Sequence, residues 1–91
     1  MKFKHGPVVM TRGISSTMEG NLKFFMEVMT AFDRYKNCDW GDLCEEDRGA
    51  NEYALRHDLR LLGKYSTSEG PIYIITEWDR SVTTILFPDE Y

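Results

Sequence analysis

The sequence predicts an α+β domain of two layers, in which a C-terminal three-stranded antiparallel meander packs on a long amphipathic helix. Apolar residues recur every three or four positions over residues 16–36, which is typical of a helix with one buried face. Two runs rich in β-branched and aromatic residues, 72–78 and 82–87, are separated by a short polar segment, which is typical of a β-hairpin. The predicted order is β-α-α-β-β-β, and residues 1–91 form a single domain.

The N-terminal half begins with a short strand over residues 7–11, followed by the long helix. Ser16 and Glu19 have the spacing of a capping box, so the helix is predicted to start at Ser16. Its buried stripe is predicted to contain Met18, Leu22, Phe25, Met29 and Phe32, widened on one side by Phe24, Val28 and Tyr35. Arg34 and Lys36 complement the helix C-terminus, and Asn37 is the predicted terminator.

A second helix is predicted from Asp42 to about His57 and Asp58, because Asp42 and Glu45 repeat the cap spacing. Its inner face consists mainly of small residues, so it lies close to its neighbour but buries little area. The predicted members are Leu43, Ala50 and Ala54, with Asn51 and Leu55 as further candidates.

Three strands follow, at 60–65, 72–78 and 82–87. A loop of three residues, Asp79 to Ser81, joins the last two strands. This loop predicts that Trp78 pairs with Val82, Thr76 with Thr84 and Ile74 with Leu86 on one face. Tyr73 then pairs with Phe87, and Ile75 with Ile85, on the other. Pro88 ends the last strand.

Charge and composition exclude several classes of function. The net charge of −4 disfavours general nucleic-acid binding, which requires a basic face. The sequence contains no long apolar run and no secretory signal, so we expect a cytoplasmic protein that does not bind membranes and whose thiols are reduced. Seven acidic residues and two basic residues lie between Asp39 and Asp58, a local balance of −5, while the rest of the chain sums to about +1.

The most acidic segment, residues 38–47, contains five carboxylates, both cysteines and Trp40, with no basic residue. The start of the second predicted helix explains the carboxylates from Asp42 to Asp47, because anionic side chains stabilise a helix N-terminus. It does not explain residues 39–41, and a tryptophan beside carboxylates is typical of a recognition surface. The predicted partner-binding residues are Asp39, Trp40, Asp42, Glu45, Glu46 and Asp47, with Trp78 and Arg80 at the hairpin tip as a second group.

Metal-dependent and catalytic functions are less well supported. Cys38, Cys44 and His57 offer zinc-binding atoms, but their spacing matches no usual zinc pattern. Loose Mg²⁺ binding by Asp39, Asp42 or Glu46 stays open, although we expect no cofactor and no metal. A small metal-dependent or cysteine-based hydrolase using Asp39, Asp42, Cys44 and His57 is the alternative to a binding protein. Clustered carboxylates oppose formation of the thiolate that such an enzyme needs.

Two blocks of sequence, CDWGDLCEED at 38–47 and IITEWDRSVTTILFPDEY at 74–91, resemble a family of short uncharacterised bacterial proteins carried on plasmids, phages and integrated elements. The resemblance covers roughly residues 7–91 and brings no catalytic residue. It implies an accessory protein of a mobile element, such as an inhibitor of a host-defence nuclease whose basic channel accepts carboxylates in place of phosphates.

The sequence therefore predicts a small, acidic, non-enzymatic binding protein whose partner is a protein with a basic surface, without direct contact to nucleic acid. A homodimeric structural or regulatory protein, paired through edge strands or the exposed sheet face, is a further alternative.

Overall fold

The computed structural model describes residues 3–91. It contains β1 (Val8–Met10), α1 (Arg12–Met18), α2 (Leu22–Lys36), α3 (Glu45–His57), β2 (Leu61–Thr67), β3 (Gly70–Thr76), β4 (Thr83–Leu86) and a final 3₁₀ turn (Pro88–Glu90). The α+β prediction is confirmed, but the order has three helices between β1 and β2 instead of two. No helix among these residues is long and apolar enough to cross a membrane.

The sheet has four strands in the order β1-β4-β3-β2. β1 is parallel to β4, while β4, β3 and β2 are antiparallel neighbours. The three C-terminal strands are antiparallel neighbours as predicted, but β1 joins them in parallel, so the sheet has four strands and is mixed. A parallel pair requires a long crossover connection, and the segment containing the three helices supplies it.

The single helix predicted over residues 16–36 is two helices. The hydroxyl of Thr11 caps α1 by accepting from the Ile14 amide at 3.3 Å, and the side chain of Asn21 caps α2 by accepting from the Phe24 amide at 3.1 Å. Ser16 lies inside α1, so the predicted capping box is wrong. Gly20 separates the helices because its φ of +65° lies in the left-handed region, which interrupts a helix. The predicted end of α2 at Lys36 and Asn37 is confirmed.

The buried face of α2 contains Phe24, Val28 and Tyr35, which were predicted as the edge of the stripe, and leaves part of the predicted centre in solvent. The core side chains are Phe24, Val28, Ala31 and Tyr35, which pack with Ile14 and the inner face of the sheet. Two predicted members of the stripe, Leu22 and Phe25, are 75% and 42% exposed. Apolar residues occur on both sides of α2, so periodicity alone does not decide which side faces the sheet.

α3 begins at Glu45, later than predicted. The Asp42 carboxylate does not cap it, because it accepts a hydrogen bond from the Ser66 hydroxyl at 2.7 Å. The helix ends as predicted, with Asp58 at φ 51° in the C-cap position. Its buried side chains are Asn51 and Ala54, whereas Ala50 is exposed, contrary to the prediction.

The hairpin register is one residue away from the prediction, and its loop is longer. Ile74 pairs with Ile85, and Thr76 pairs with Thr83. Both threonines are buried, and their hydroxyls are 2.7 Å apart. The Thr76 hydroxyl also lies 2.6 Å from the Tyr35 hydroxyl, and the Thr83 hydroxyl donates to the carbonyl of His5 at 2.6 Å. This polar network stabilises the observed register, and matching apolar pairs could not predict it.

Candidate functional site

Trp40 belongs to the core. Its side chain is 4% exposed, and its ring lies 5.5 Å from that of Tyr35 and 6.0 Å from that of Phe3. The indole N–H donates to a Glu52 carboxylate oxygen at 3.1 Å, so its one polar group is satisfied. Trp40 has almost no surface for a partner, and we leave it out of the proposed binding surface.

The backbone around Trp40 docks on the edge of β2. The Lys64 amide donates to the Trp40 carbonyl at 3.1 Å, and the Asp42 amide donates to the Lys64 carbonyl at 2.7 Å. Gly41 has a φ of +78°, and a Cβ atom at this position would overlap the Lys64 carbonyl oxygen. Glycine is therefore required at position 41, and the segment covers a sheet edge that would otherwise be open.

Asp39 holds the same segment in place. Its carboxylate forms two hydrogen bonds with the Arg34 guanidinium, at 2.8 Å and 3.2 Å, in the one ion pair found within residues 3–91. The Arg34 hydrogen bond lowers the pKa of Asp39, so this carboxylate is charged at neutral pH. The Tyr65 hydroxyl donates to the Asp39 carbonyl at 2.6 Å. Asp39 is thus committed to internal contacts.

The remaining carboxylates form an acidic face, defined here as Asp42, Glu45, Glu46 and Asp47. All four side chains are exposed. The last three occupy the first turn of α3 and make no hydrogen bond or ion pair with the described part of the chain. Three neighbouring carboxylates thus face solvent without an ion pair to the described residues, and the guanidinium of the adjacent Arg48 donates instead to the carbonyls of Leu43 and Gly41.

Arg80 at the hairpin tip is a structural residue. Its guanidinium donates to the carbonyls of Leu59 at 2.6 Å, Glu77 at 3.1 Å and Ala54 at 3.3 Å. The Ala54 carbonyl lies in the last turn of α3 and also accepts from the amides of Asp58 and Leu59. Arg80 therefore links this helix end to the hairpin loop, and its guanidinium is already occupied. The sequence held no local signal for this role, since the acceptors Leu59 and Ala54 lie 21 and 26 positions away.

Trp78, unlike Trp40, faces solvent and is 64% exposed. Arg80 brings it to the C-terminal end of α3, whereas the acidic face lies at the N-terminal end. The 13 residues of α3 separate these two surfaces by about 18 Å, at 1.5 Å of rise per residue. The two predicted groups therefore lie along one helix but are not contiguous.

The residues suggested for a hydrolase are not brought together. Cys44 precedes α3 and His57 ends it, which places them about 20 Å apart. The His57 ring stacks on Tyr53 instead, at 3.9 Å between ring centroids. Burial raises the pKa of the Cys38 thiol, which opposes its activation. Among residues 3–91, no group of three His, Cys, Asp or Glu side chains is placed to hold a metal ion.

Comparisons with protein-family models, curated proteins and solved structures find no match for this chain.

Proposed function

We propose that this protein is a non-enzymatic binding protein whose acidic face contacts a basic surface on a partner protein. The observation that supports this function is the cluster of Glu45, Glu46 and Asp47, which are exposed and form no ion pair with any residue from 3 to 91. The helix dipole stabilises such charges by a few tenths of a kcal/mol to about 1 kcal/mol. Their mutual repulsion opposes this, and lysine or arginine residues of a partner would relieve it.

The charge distribution favours a partner with one basic patch. The window from Asp39 to Asp58 carries a balance of −5, while the rest of the chain is close to neutral. Such a molecule presents one charged surface, and its field steers that surface towards a basic partner. The resemblance to proteins of mobile elements suggests a host-defence nuclease as this partner, with the carboxylates occupying its phosphate-binding channel.

An affinity experiment with matched variants tests the proposal. The first bait is the wild-type protein, the second carries Glu45→Gln, Glu46→Gln and Asp47→Asn, and the third carries Glu19→Gln, Asp33→Asn and Asp89→Asn. The last two lose the same net charge, from different surfaces. We expect the partner from the native host to be retained by the first and third baits and lost from the second.

Salt provides the second measurement. Affinity is expected to fall at least tenfold between about 50 mM and about 500 mM salt, because exposed charges are screened. Unchanged affinity over this range would contradict the proposal. Equal loss from both triple variants would show that net charge matters and that the acidic face does not.

A homodimer is a second candidate, favoured by a different observation. Leu22, Phe25 and Met26 on the outer side of α2 are 75%, 42% and 58% exposed, although the inner side of the same helix is fully buried. Helices that are apolar on both sides are normally covered on both. Sedimentation equilibrium tests this candidate: the wild-type protein should dimerise, and Leu22→Glu with Met26→Glu should stay monomeric. A wild-type protein that stays monomeric at high concentration would contradict the homodimer candidate.

A further inference from the structure

A cleft lies between α1, the turn that joins β2 to β3, and the final 3₁₀ turn. Its volume is about 440 Å³, within the range of sites that bind small ligands. It is lined by three apolar and three polar residues: Pro71, Phe87, Pro88, Thr17, Glu69 and Asp89. An apolar wall with a few polar atoms is the usual composition of such a site.

The three polar side chains of the cleft offer hydrogen-bond acceptors. The Thr17 hydroxyl donates its hydrogen to the Gly13 carbonyl at 2.8 Å, so its oxygen has only lone pairs left for a ligand. The carboxylates of Glu69 and Asp89 are exposed, and neither forms an ion pair within residues 3–91. An ionised carboxylate accepts hydrogen bonds and donates none. A ligand that fits these side chains therefore brings the donors.

The charge around the cleft is negative. No basic residue from 3 to 91 lines it, and the other charged side chains within two positions of a lining residue belong to Glu19 and Glu90. The cations of neighbouring elements lie elsewhere. Lys23 and Arg60 line two other recesses, and Arg12 is exposed at the start of α1. The carboxylates of the cleft therefore favour a ligand with positive charge.

Hydrogen bonds to α2 and its cap hold one wall of the cleft, the turn between β2 and β3. The Ser68 hydroxyl donates to the Glu27 carboxylate at 2.7 Å, and the Glu69 amide donates to the Thr67 hydroxyl at 3.0 Å. The Asn21 side chain donates to Oε2 of Glu69 at 3.3 Å. This bond orients the carboxylate and leaves Oε1 for a ligand.

Glu90 holds the opposite wall, the final 3₁₀ turn, against α1. Its carboxylate accepts from the Thr11 hydroxyl at 2.6 Å, the Phe87 amide at 2.9 Å and the Gly13 amide at 3.2 Å. A Cβ atom at Gly13 would overlap this carboxylate, so glycine permits the contact. Both walls are thus fixed by internal contacts, and binding a ligand costs little additional ordering.

We propose that this cleft binds an organic cation with an alkyl body, an alkylammonium or alkylguanidinium group carried by a free amine or by a lysine or arginine side chain. The alkyl part lies on Pro71, Phe87 and Pro88, as basic side chains lie along apolar surfaces. The N–H groups donate to Glu69 and Asp89 in charge-assisted hydrogen bonds.

This site is separate from the acidic face and goes beyond the proposed function. A metal ion fits the cleft less well than an organic cation, because no group of three His, Cys, Asp or Glu side chains within residues 3–91 is placed to hold one.

Titrations followed by ¹H–¹⁵N spectra at neutral pH test the proposal. The probes are n-hexylamine, 1-hexanol with the same alkyl body and no charge, and the ammonium ion with the same charge and no body. An acetylated and amidated glycine–lysine–glycine peptide is the fourth probe. The amide signals of Glu69 and Asp89 report on the cleft, and that of Glu46 reports on the acidic face.

We expect n-hexylamine to shift the signals of Glu69 and Asp89 at concentrations about tenfold lower than 1-hexanol or ammonium, because it makes both the apolar and the charged contacts. The signal of Glu46 should need a higher concentration. Tighter binding of the peptide than of n-hexylamine would identify a basic side chain as the ligand, and weaker binding a free amine.

Two double variants with the same change in net charge provide the control. Glu69→Gln with Asp89→Asn should weaken binding of n-hexylamine about tenfold, since both charge-assisted acceptors are lost. Glu45→Gln with Glu46→Gln changes the acidic face and should alter the affinity less than about twofold. All four positions are exposed, so both variants should fold, and thermal melting checks this.

The other outcomes each overturn the inference. Equal binding of 1-hexanol would show that the carboxylates do not select a cation, and equal binding of ammonium would show that the apolar wall does not contribute. Equal loss in both double variants would show that net charge alone attracts the amine. No shift of the Glu69 and Asp89 signals with any probe would reject the site. The cleft variant keeps the acidic face intact, so each of these outcomes leaves the test of the proposed function unaffected.

Discussion

The two tryptophans of this protein have similar neighbours in the sequence, but one is buried and the other is exposed. Each follows an acidic residue in a segment outside the helices and strands, Asp39 before Trp40 and Glu77 before Trp78. Trp40 is 4% exposed and Trp78 is 64% exposed. The difference shows that a tryptophan beside a carboxylate does not by itself mark a binding surface.

A residue with a left-handed φ lies shortly after each tryptophan, and the two residues explain the difference in burial. Gly41 adopts a left-handed φ and lets the backbone approach the Lys64 carbonyl closely. The Trp40 side chain then lies in the core. Near Trp78, the residue with a left-handed φ is Arg80. Its guanidinium donates to the carbonyls of Glu77 and Trp78 and so closes the loop. The backbone there is satisfied without burying the ring.

Replacing each tryptophan in turn should give the largest difference in the free energy of unfolding between two variants. Trp40→Ala should lower the free energy of unfolding by about 3–5 kcal/mol, because it leaves a cavity in the core. Trp78→Ala should change it by less than about 0.5 kcal/mol, because the ring is mostly in solvent. Urea unfolding followed by circular dichroism measures both values, and similar losses would abolish the distinction.

Two glycine substitutions test whether Gly41 positions the segment that carries Trp40. Gly41→Ala should lower the free energy of unfolding by more than about 2 kcal/mol, through backbone strain and contact with the Lys64 carbonyl. Gly49→Ala is the matched control, since a Cβ atom there meets nothing within 4 Å in α3, and it should raise stability by about 0.5–1 kcal/mol. Thermal melting compares them, and equal effects would show that Gly41 does not position the segment.

The smallest expected effect concerns Asp39, whose pair with Arg34 holds the Trp40 segment. The folded pKa of Asp39 is lowered, so its contribution is present above the ordinary aspartate pKa of about 4 and is lost as pH falls through the lower folded value. The two side chains are 43% and 50% exposed, so Asp39→Asn should cost less than about 1 kcal/mol at pH 7.

This difference between Asp39→Asn and the wild-type protein should shrink as the pH falls below the ordinary aspartate pKa, and it should disappear once Asp39 is protonated. Asp33→Asn removes another exposed carboxylate, from α2, and urea unfolding over a pH series compares the variants. An Asp39→Asn effect that persists at low pH would show that packing, and not charge, holds the segment.

Local patterns predicted a large part of the fold. The α+β class, the end of α2 at Lys36 and the end of α3 at His57 follow from periodicity and from helix-terminating residues, which act over a few positions. The start of α2 was missed, because Ser16, with Glu19 three residues later, has a fuller capping signature than the true cap, Asn21, which is followed by Phe24. The hairpin register was missed because Ile74 pairs equally well with Ile85 or Leu86 on apolar grounds.

The sequence by itself determined which segments are periodic and that the first turn of α3 carries three carboxylates, since both depend on spacing along the chain. Only the tertiary structure decided which side of α2 is buried, that Trp40 is core, and that Arg80 serves a helix end. Those outcomes depend on contacts such as Gly41 with Lys64 and Arg80 with Ala54. Residues so far apart in sequence meet only when the chain folds, and no local pattern encodes their meeting.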